Sequence, residues 1–283
     1  MDALDVAVVI VTVNAESDVV RNLEELRGQQ GVRLDVVVVD NGSVDRTVDV
    51  VAAEPDVRLI ANGENRWLAP AWNQGLAATA ADYVLFLTPD TSLPDGRVLR
   101  TLAEALEARP DAGLAGPRLL AEDGTDRGNG TYAFPTARYQ VAAALGLAGL
   151  RGRDGAEAAT AATDAAVRDV TAVNGACMLA RRAALIDVGG LDDRYQLYWE
   201  EIDLARRLRE RGWAVLLVPQ VAAVHRGKGS PAPSELRRRA YRHGERVYMR
   251  THHGRAAAAV VSAARRLESL GQRLWRSSAQ PGR

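Results

Sequence analysis

A chain of 283 residues with 47% apolar content is long enough to bury a sizeable core as one large domain or two small ones. Its 36 basic residues balance 36 acidic ones, so overall charge gives no argument for a nucleic-acid partner. The lone Cys177 excludes an internal disulfide framework, no apolar run reaches the ~18 residues of a membrane span, and no charged-then-apolar leader opens the chain, so the cytoplasm is the expected compartment.

The first third alternates strands and helices: VAVVIVTV, a helical stretch from Ala15 to Gln29, LDVVVVD, a helix near Arg46 to Ala53, VRLIA, a helix around Ala69 to Ala80, and DYVLFL. Continuous Val/Ile/Leu runs between amphipathic helices predict a parallel α/β sheet covered on both faces. In such sheets ligands sit beyond the C-terminal strand ends. Three strands end there in polar signatures: Thr12-Val13-Asn14, Asp40-Asn41-Gly42-Ser43 and Thr88-Pro89-Asp90-Thr91. The stretch RGRDGAEAATAATDAAVRD reads as a mobile small-residue connection. After it come the strand VTAVNGACMLA, a helix from Arg181, the segment YQLYWEEIDLARRLRERG and the strand WAVLLVP. From Ser234 onward arginines face only Glu235, Glu245 and Glu268. This basic tail reads as a helical extension that packs back on the domain, with contact to an anionic membrane face as the alternative.

Neither GxGxxG after the first strand nor GxxxxGK[ST] is present, which excludes the ordinary dinucleotide and P-loop sites; HExxH and GxSxG are also missing.

Seven segments in this order, VVIVTVN, VVVVDNGSVDRT, ENRWLAPAWNQG, LFLTPDT, VNGACMLARRAALIDVGGLDDRY, YWEEIDLARRLRERGW and VHRGKGS, resemble glycosyltransferase family 2 and its rhamnosyltransferase-like branch. The resemblance implies a GT-A fold, with a transferase domain over 1–233 (donor half about 1–116, acceptor half about 117–233) and a helical extension over 234–283. It also implies inverting transfer of a sugar from a nucleoside diphosphate, UDP- or dTDP-linked, to a hydroxylated acceptor, with Mg²⁺ or Mn²⁺.

Each candidate residue has a chemical reason. A departing diphosphate needs a cation, and a hard divalent ion takes one or two carboxylates plus phosphate and water, which suits Asp90. Thr88 stands where this branch commonly has asparagine, and the alternative for Asp90 is a turn acid. His225 resembles the family's C-terminal histidine, which completes the metal site or contacts diphosphate; Arg226 and Lys228 beside it suit phosphate. Asp40 resembles the acid at the nucleobase edge, with turn chemistry as its alternative, and Thr12 and Asn14 resemble the loop that seats base and ribose. Asn41, Asn65, Trp67, Asn73, Asn174 and Gly175 complete the expected donor contacts. Glu201 aligns with the family's general base, although glutamate replaces aspartate. If a helix begins there, Glu200 and Asp203 share its other face at i,i+3, and Asp203 has Arg206 and Arg207 in reach. Trp67 is expected to wall the sugar subsite and Trp72 to pack in the core, as is Cys177. His243, His252 and His253 carry no signature. Two rivals remain: a degenerate non-catalytic binding member, and a nucleotidyltransferase, which lacks its glycine-rich loop here.

Overall fold

The computed structural model describes residues 3–126, 128, 130–147, 166–227 and 233–278, with side chains as far as 270. The expected mobile connection therefore lies outside the described residues up to position 165.

The strands are β1 (Leu4–Thr12), β2 (Val32–Asp40), β3 (Val57–Ala61), β4 (Tyr83–Leu87), β5 (Thr91–Ser92), β6 (Ala112–Leu120), β7 (Thr131–Tyr132), β8 (Arg168–Asp169), β9 (Ala172–Val173), β10 (Cys177–Arg181) and β11 (Ala214–His225). Helices α1 (Glu16–Arg27), α2 (Thr47–Ala52), α3 (Leu68–Ala77) and α4 (Val98–Ala108) alternate with the early strands. Helices α5 (Ala137–Ala144), α6 (Arg182–Val188), α7 (Glu200–Glu210), α8 (Ser234–His252) and α9 (Gly254–Ser278) follow.

The main sheet runs β3-β2-β1-β4-β10-β6-β11-β5, with β8 on β11, while β7 and β9 pair separately. The first four strands are parallel, as expected. β10 is antiparallel to both its neighbours, so the sheet is mostly rather than wholly parallel. The expected strand VTAVNGACMLA breaks in two because Asn174, Gly175 and Ala176 leave the line between β9 and β10. The boundary expected near Gly116 falls inside β6, in the middle of the common sheet.

Period-two alternation divides the core. Val6, Val8 and Ile10 face a cluster that includes Leu23 of α1 and Leu102 of α4. Ala7, Val9 and Val11 face another, which includes Trp72 of α3, Leu204 of α7 and Tyr248 of α8. A single truncation such as Leu85→Ala, at a side chain with no exposed surface, would cost about 2–5 kcal/mol. Trp72 and Cys177 are buried as expected, and burial pushes the Cys177 thiol up to about 12, so it packs as an inert small apolar group. The tail does pack back on the domain: Tyr248 of α8 is buried in the cluster of Trp72 and Leu204, and Arg265 of α9 donates to Gln140 of α5 at 3.1 Å.

α1 also fixes the segment after Asp90. Asn22 donates to the Thr91 carbonyl at 2.6 Å, Glu25 accepts from the Leu93 N–H at 2.6 Å, and Gln29 accepts from the Leu99 N–H at 3.1 Å. Asn22 and Glu25, one turn apart on α1, and Gln29, just past its end, thus hold the chain from β5 to the start of α4.

Candidate active site

At the C-terminal edge of the sheet, Thr12 pairs in register with Asp40, and the Asn41 N–H donates to the Thr12 carbonyl at 2.8 Å. Asp40 is buried, and its Oδ1 accepts from the N–H groups of Gly42 and Ser43 at 3.0 and 2.9 Å while Oδ2 accepts from the Ser43 hydroxyl. The carboxylate therefore builds the Asp-Asn-Gly-Ser turn. Asn14, at φ 49°, is clipped to that turn: its N–H donates to Ser43 Oγ and its Oδ1 accepts from the Val44 N–H, both at 2.8 Å. Two loops thus form one cradle, beside which the Thr12 hydroxyl is buried without a partner among the described residues.

Asn41 closes the cradle by donating to the Trp67 carbonyl at 3.1 Å, and Asn65 accepts from the Trp67 N–H at 2.8 Å. Trp67 has φ 68° and ψ 175°, a region open essentially to glycine alone, at a cost of about 1–3 kcal/mol. Asn73 corrects its expectation. Its amide donates to Leu191 O and Asp193 Oδ1 and accepts from the Leu191 N–H, so its hydrogen-bonding groups secure the loop before α7 and are spent there.

Asp90 and His225 come together. Nε2 of His225 lies 3.3 Å from Asp90 Oδ2, and the Thr88 hydroxyl donates to Asp90 Oδ1 at 2.8 Å. Burial opposes ionisation of Asp90, but the His225 and Thr88 hydrogen bonds outweigh it and hold the carboxyl below its ordinary range. A carboxylate and an imidazole brought this close could together serve as two of the protein ligands of a divalent cation. The other ring nitrogen, Nδ1, is buried without a hydrogen-bond partner among the described residues. Among the described residues no group of three or more His, Cys, Asp or Glu forms a cage, so an ion here would be completed by phosphate and water. Arg226 and Arg21 converge on Asp18 at 2.7 and 3.1 Å, and the Arg226 N–H donates to the Asp90 carbonyl at 3.1 Å. Lys228 lies outside the described residues.

The acids of α7 separate by role. Tyr198 and Trp199, at φ 72° and 79°, turn the chain into the helix through two successive left-handed residues. Glu200 is buried and Glu201 half-buried, and each has an Oε2 without a hydrogen-bond partner. Burial, with the Glu201 charge next, pushes the Glu200 carboxyl well up. Burial likewise pushes Glu201 up to about 7, against backbone hydrogen bonds that oppose the rise. Gly175 sits against this acid: a Cβ there would lie 3.3 Å from Glu201 Cβ and 3.4 Å from the Trp72 ring, so the backbone approaches where a side chain would crowd. Asn174 accepts from the Ala176 N–H at 2.8 Å and donates to the Tyr132 hydroxyl.

Asp203 is a helical acid, and one of the two arginine partners in reach of it, Arg207, is engaged. Wholly buried, it accepts from Tyr195 at 3.1 Å and Arg207 at 2.7 Å and meets His252 of α8 at 2.7 Å, which ties the extension to the domain. His252, Tyr132, Tyr198 and Arg21 are residues that motif reading passed over. Tyr198 stood inside YWEEID, where the acids drew the attention, and an Asp/Arg pair at i,i+3 marked Arg21 on α1.

Comparison with known proteins agrees with this architecture. The family model for glycosyl transferase family 2 matches residues 7–188. An N-acetylglucosaminyl-diphospho-decaprenol L-rhamnosyltransferase of Mycobacterium tuberculosis is 30% identical over 67% of this chain and 66% of its own length. A pre-mycofactocin glycosyltransferase of the same organism is 30% identical over 78% of this chain, which spans 42% of that relative. Among solved structures, GalNAc-T7 with UDP, GalNAc and Mn²⁺ superposes with a TM-score of 0.61 at 16% identity, over 86% of this chain and 48% of that one. The Pyrobaculum calidifontis mannosyltransferase PcManGT, in complex with GDP-Man and Mn²⁺, gives 0.54 at 19% identity over 98% and 76%. The fold is GT-A, and the chain belongs to glycosyl transferase family 2.

Proposed function

We propose that this protein is an inverting glycosyltransferase that moves a sugar from a UDP- or dTDP-linked donor to a hydroxyl of a glycan, lipid-linked or small-molecule acceptor. A deoxysugar donor and a lipid-linked acceptor are favoured by the name of the M. tuberculosis relative. One observation carries the reading. The Asp90 loop and Glu201 share a support, because the Thr88 N–H donates to the Ala176 carbonyl at 3.0 Å while neighbouring Gly175 packs on Glu201. A leaving-group end and a base end are thereby held to one rigid strand turn.

In this mechanism the loops of Thr12, Asn14 and Asn41, shaped by the buried Asp40 turn, seat the nucleoside, with Trp67 over the sugar. Asp90 and His225 would hold Mg²⁺ or Mn²⁺, which supplies positive charge against the departing diphosphate. Arg226 and Arg21, steadied by Asp18, add cationic groups beside it. Glu201 takes the proton of the acceptor hydroxyl as that oxygen bonds to the anomeric carbon. The bond from that carbon to the phosphate oxygen breaks, and its electron pair leaves with the nucleoside diphosphate. Attack from the face opposite the leaving group inverts the centre.

The basic extension is read as a packed, solvated face: Arg238 and Arg239 share Glu235, and no described helix is long and apolar enough to cross a membrane. Salt-sensitive binding to anionic vesicles would replace that reading with peripheral attachment. A panel of UDP-, dTDP- and GDP-sugars, assayed for binding and metal-dependent turnover, tests the function. Turnover of at least one pyrimidine-linked donor is expected, and binding without turnover of any donor would favour the non-catalytic rival.

A further inference from the structure

A stack of aromatic rings runs outward from the core between α8 and the turn before α7. Tyr248 of α8 is wholly buried, the Trp199 ring lies 5.3 Å from it, and the Tyr241 ring lies 5.3 Å from Trp199 on the outer side. Tyr241 is 39% exposed, and half-buried Tyr198 meets its ring edge-on at 6.1 Å. The register of α8 leaves no slack: a Cβ on Gly244 would stand 2.8 Å from Trp199 Cδ1 and 3.0 Å from the Tyr198 carbonyl. Tyr198 precedes Glu200 by two residues and owes its direction to a left-handed backbone that a non-glycine residue adopts at a cost.

Neither the Tyr198 nor the Tyr241 hydroxyl has a hydrogen-bond partner among the described residues. Burial is the main cause that raises both phenols, Tyr241 to about 12; at Tyr198 Arg237 opposes the rise while Glu200, Asp90 and Glu201 add to it, and at Tyr241 Glu245 adds most after burial, with Glu201 a smaller contributor. Both rings are therefore neutral donors within electrostatic reach of the proposed base. An apolar ring face with an unused hydroxyl matches a ligand that is apolar on its faces and hydroxylated around its rim, which describes a pyranose.

We infer that Tyr241 and Tyr198 form an acceptor subsite for a pyranose ring, in which the C-terminal helix α8 supplies one wall beside Glu201. The inference rests on the transferase reading above. It makes the extension part of the substrate site, although α8 lies beyond the 7–188 segment that the family model matches.

The test compares wild type with Tyr241→Ala, Tyr198→Ala and Tyr241→Phe, each checked for folding by thermal melting. UDP and dTDP binding with Mn²⁺ is measured by titration calorimetry, and methyl pyranosides of the gluco, galacto, manno, rhamno and N-acetylglucosamine series are titrated by NMR. At least one pyranoside should bind wild type, roughly tenfold more weakly in either alanine variant and about threefold more weakly in Tyr241→Phe. Nucleotide affinity should change by less than about twofold. Pyranoside affinity equal in wild type and the folded alanine variants, or no pyranoside binding by a wild type that binds nucleotide, would overturn the subsite and spare the transferase reading. Wild type that binds no nucleotide would overturn that reading, and the subsite with it.

Discussion

His225 Nε2 stands 3.3 Å from Asp90 Oδ2 because the backbone brings it there: Thr91 of β5 faces His225 of β11 in antiparallel register. The two-residue strand after Asp90 is thus the device that joins the acid of the first half to the histidine of the last long strand.

Replacing that anion should disable the site while leaving the fold intact. Asp90→Asn is expected to lower kcat by about 100-fold or more and to remove the response to added metal. Metal titrations of the rate, with circular dichroism as the folding control, check this. A variant that keeps wild-type rates and the same metal response would remove Asp90 from the metal site.

The adjacent glutamates should behave differently. Glu201→Gln is expected to reduce transfer by about 10²–10⁴-fold with donor affinity unchanged, since only proton abstraction is lost. With its carboxyl pushed up to about 7, wild-type kcat/KM should rise with pH through that region and level off above it. Burial and the Glu201 charge keep Glu200 protonated while Glu201 ionises, so Glu200→Gln should keep activity with the acid limb near the same pH. Stability runs the other way. A raised carboxyl costs nothing below its ordinary 4.5, and the cost grows as pH rises to about 7, so Glu201→Gln should gain stability relative to wild type more at pH 8 than at pH 5. An inactive Glu200→Gln beside an active Glu201→Gln would shift the base by one residue.

Trp67 offers a test by backbone strain. At φ 68° and ψ 175°, glycine is at ease and alanine is not, so Trp67→Gly should be more stable than Trp67→Ala by about 1–3 kcal/mol. Trp67→Gly should also broaden donor use and admit N-acetylated sugars. Denaturant melts of the pair, with a donor competition series, measure both effects. Equal stabilities would contradict the strain, and an unchanged donor ranking would remove the indole from the sugar subsite.

Asp203 should be a stability residue. Asp203→Ala leaves Arg207, Tyr195 and His252 without their shared acceptor and is expected to cost about 3–5 kcal/mol. Activity per folded molecule should stay near wild type at low temperature. Lost turnover in a protein that melts normally would give Asp203 a part in the reaction itself.

These contrasts mark how far the sequence could be read. Strands buried on both faces announce themselves as unbroken valine runs, so β1, β2 and β4 were legible, but burial says nothing of direction, and β10 runs against its neighbours. β6 was hidden because AGLAGPRLL carries two glycines and a proline. Asp90, His225 and Glu201 lay in recognisable segments. The tasks of Asn73 and Asp203 were not legible, because their partners, Asp193 and His252, lie far along the chain. The left-handed turn at Tyr198 and Trp199 was invisible because no glycine or asparagine marks it.

The central claim is that Asp90 and Glu201 act on opposite ends of one displacement. It is tested most directly by following the anomeric proton by ¹H NMR while a pyrimidine-linked sugar donor reacts with a pyranoside acceptor, in Mn²⁺-depleted and Mn²⁺-restored buffer. The account predicts a glycoside of inverted anomeric configuration, formed together with nucleoside diphosphate only when the metal is restored, and formed about 100-fold or more slower by Asp90→Asn and by Glu201→Gln. A product that retains the donor's configuration, or one formed equally well by Glu201→Gln, would contradict it.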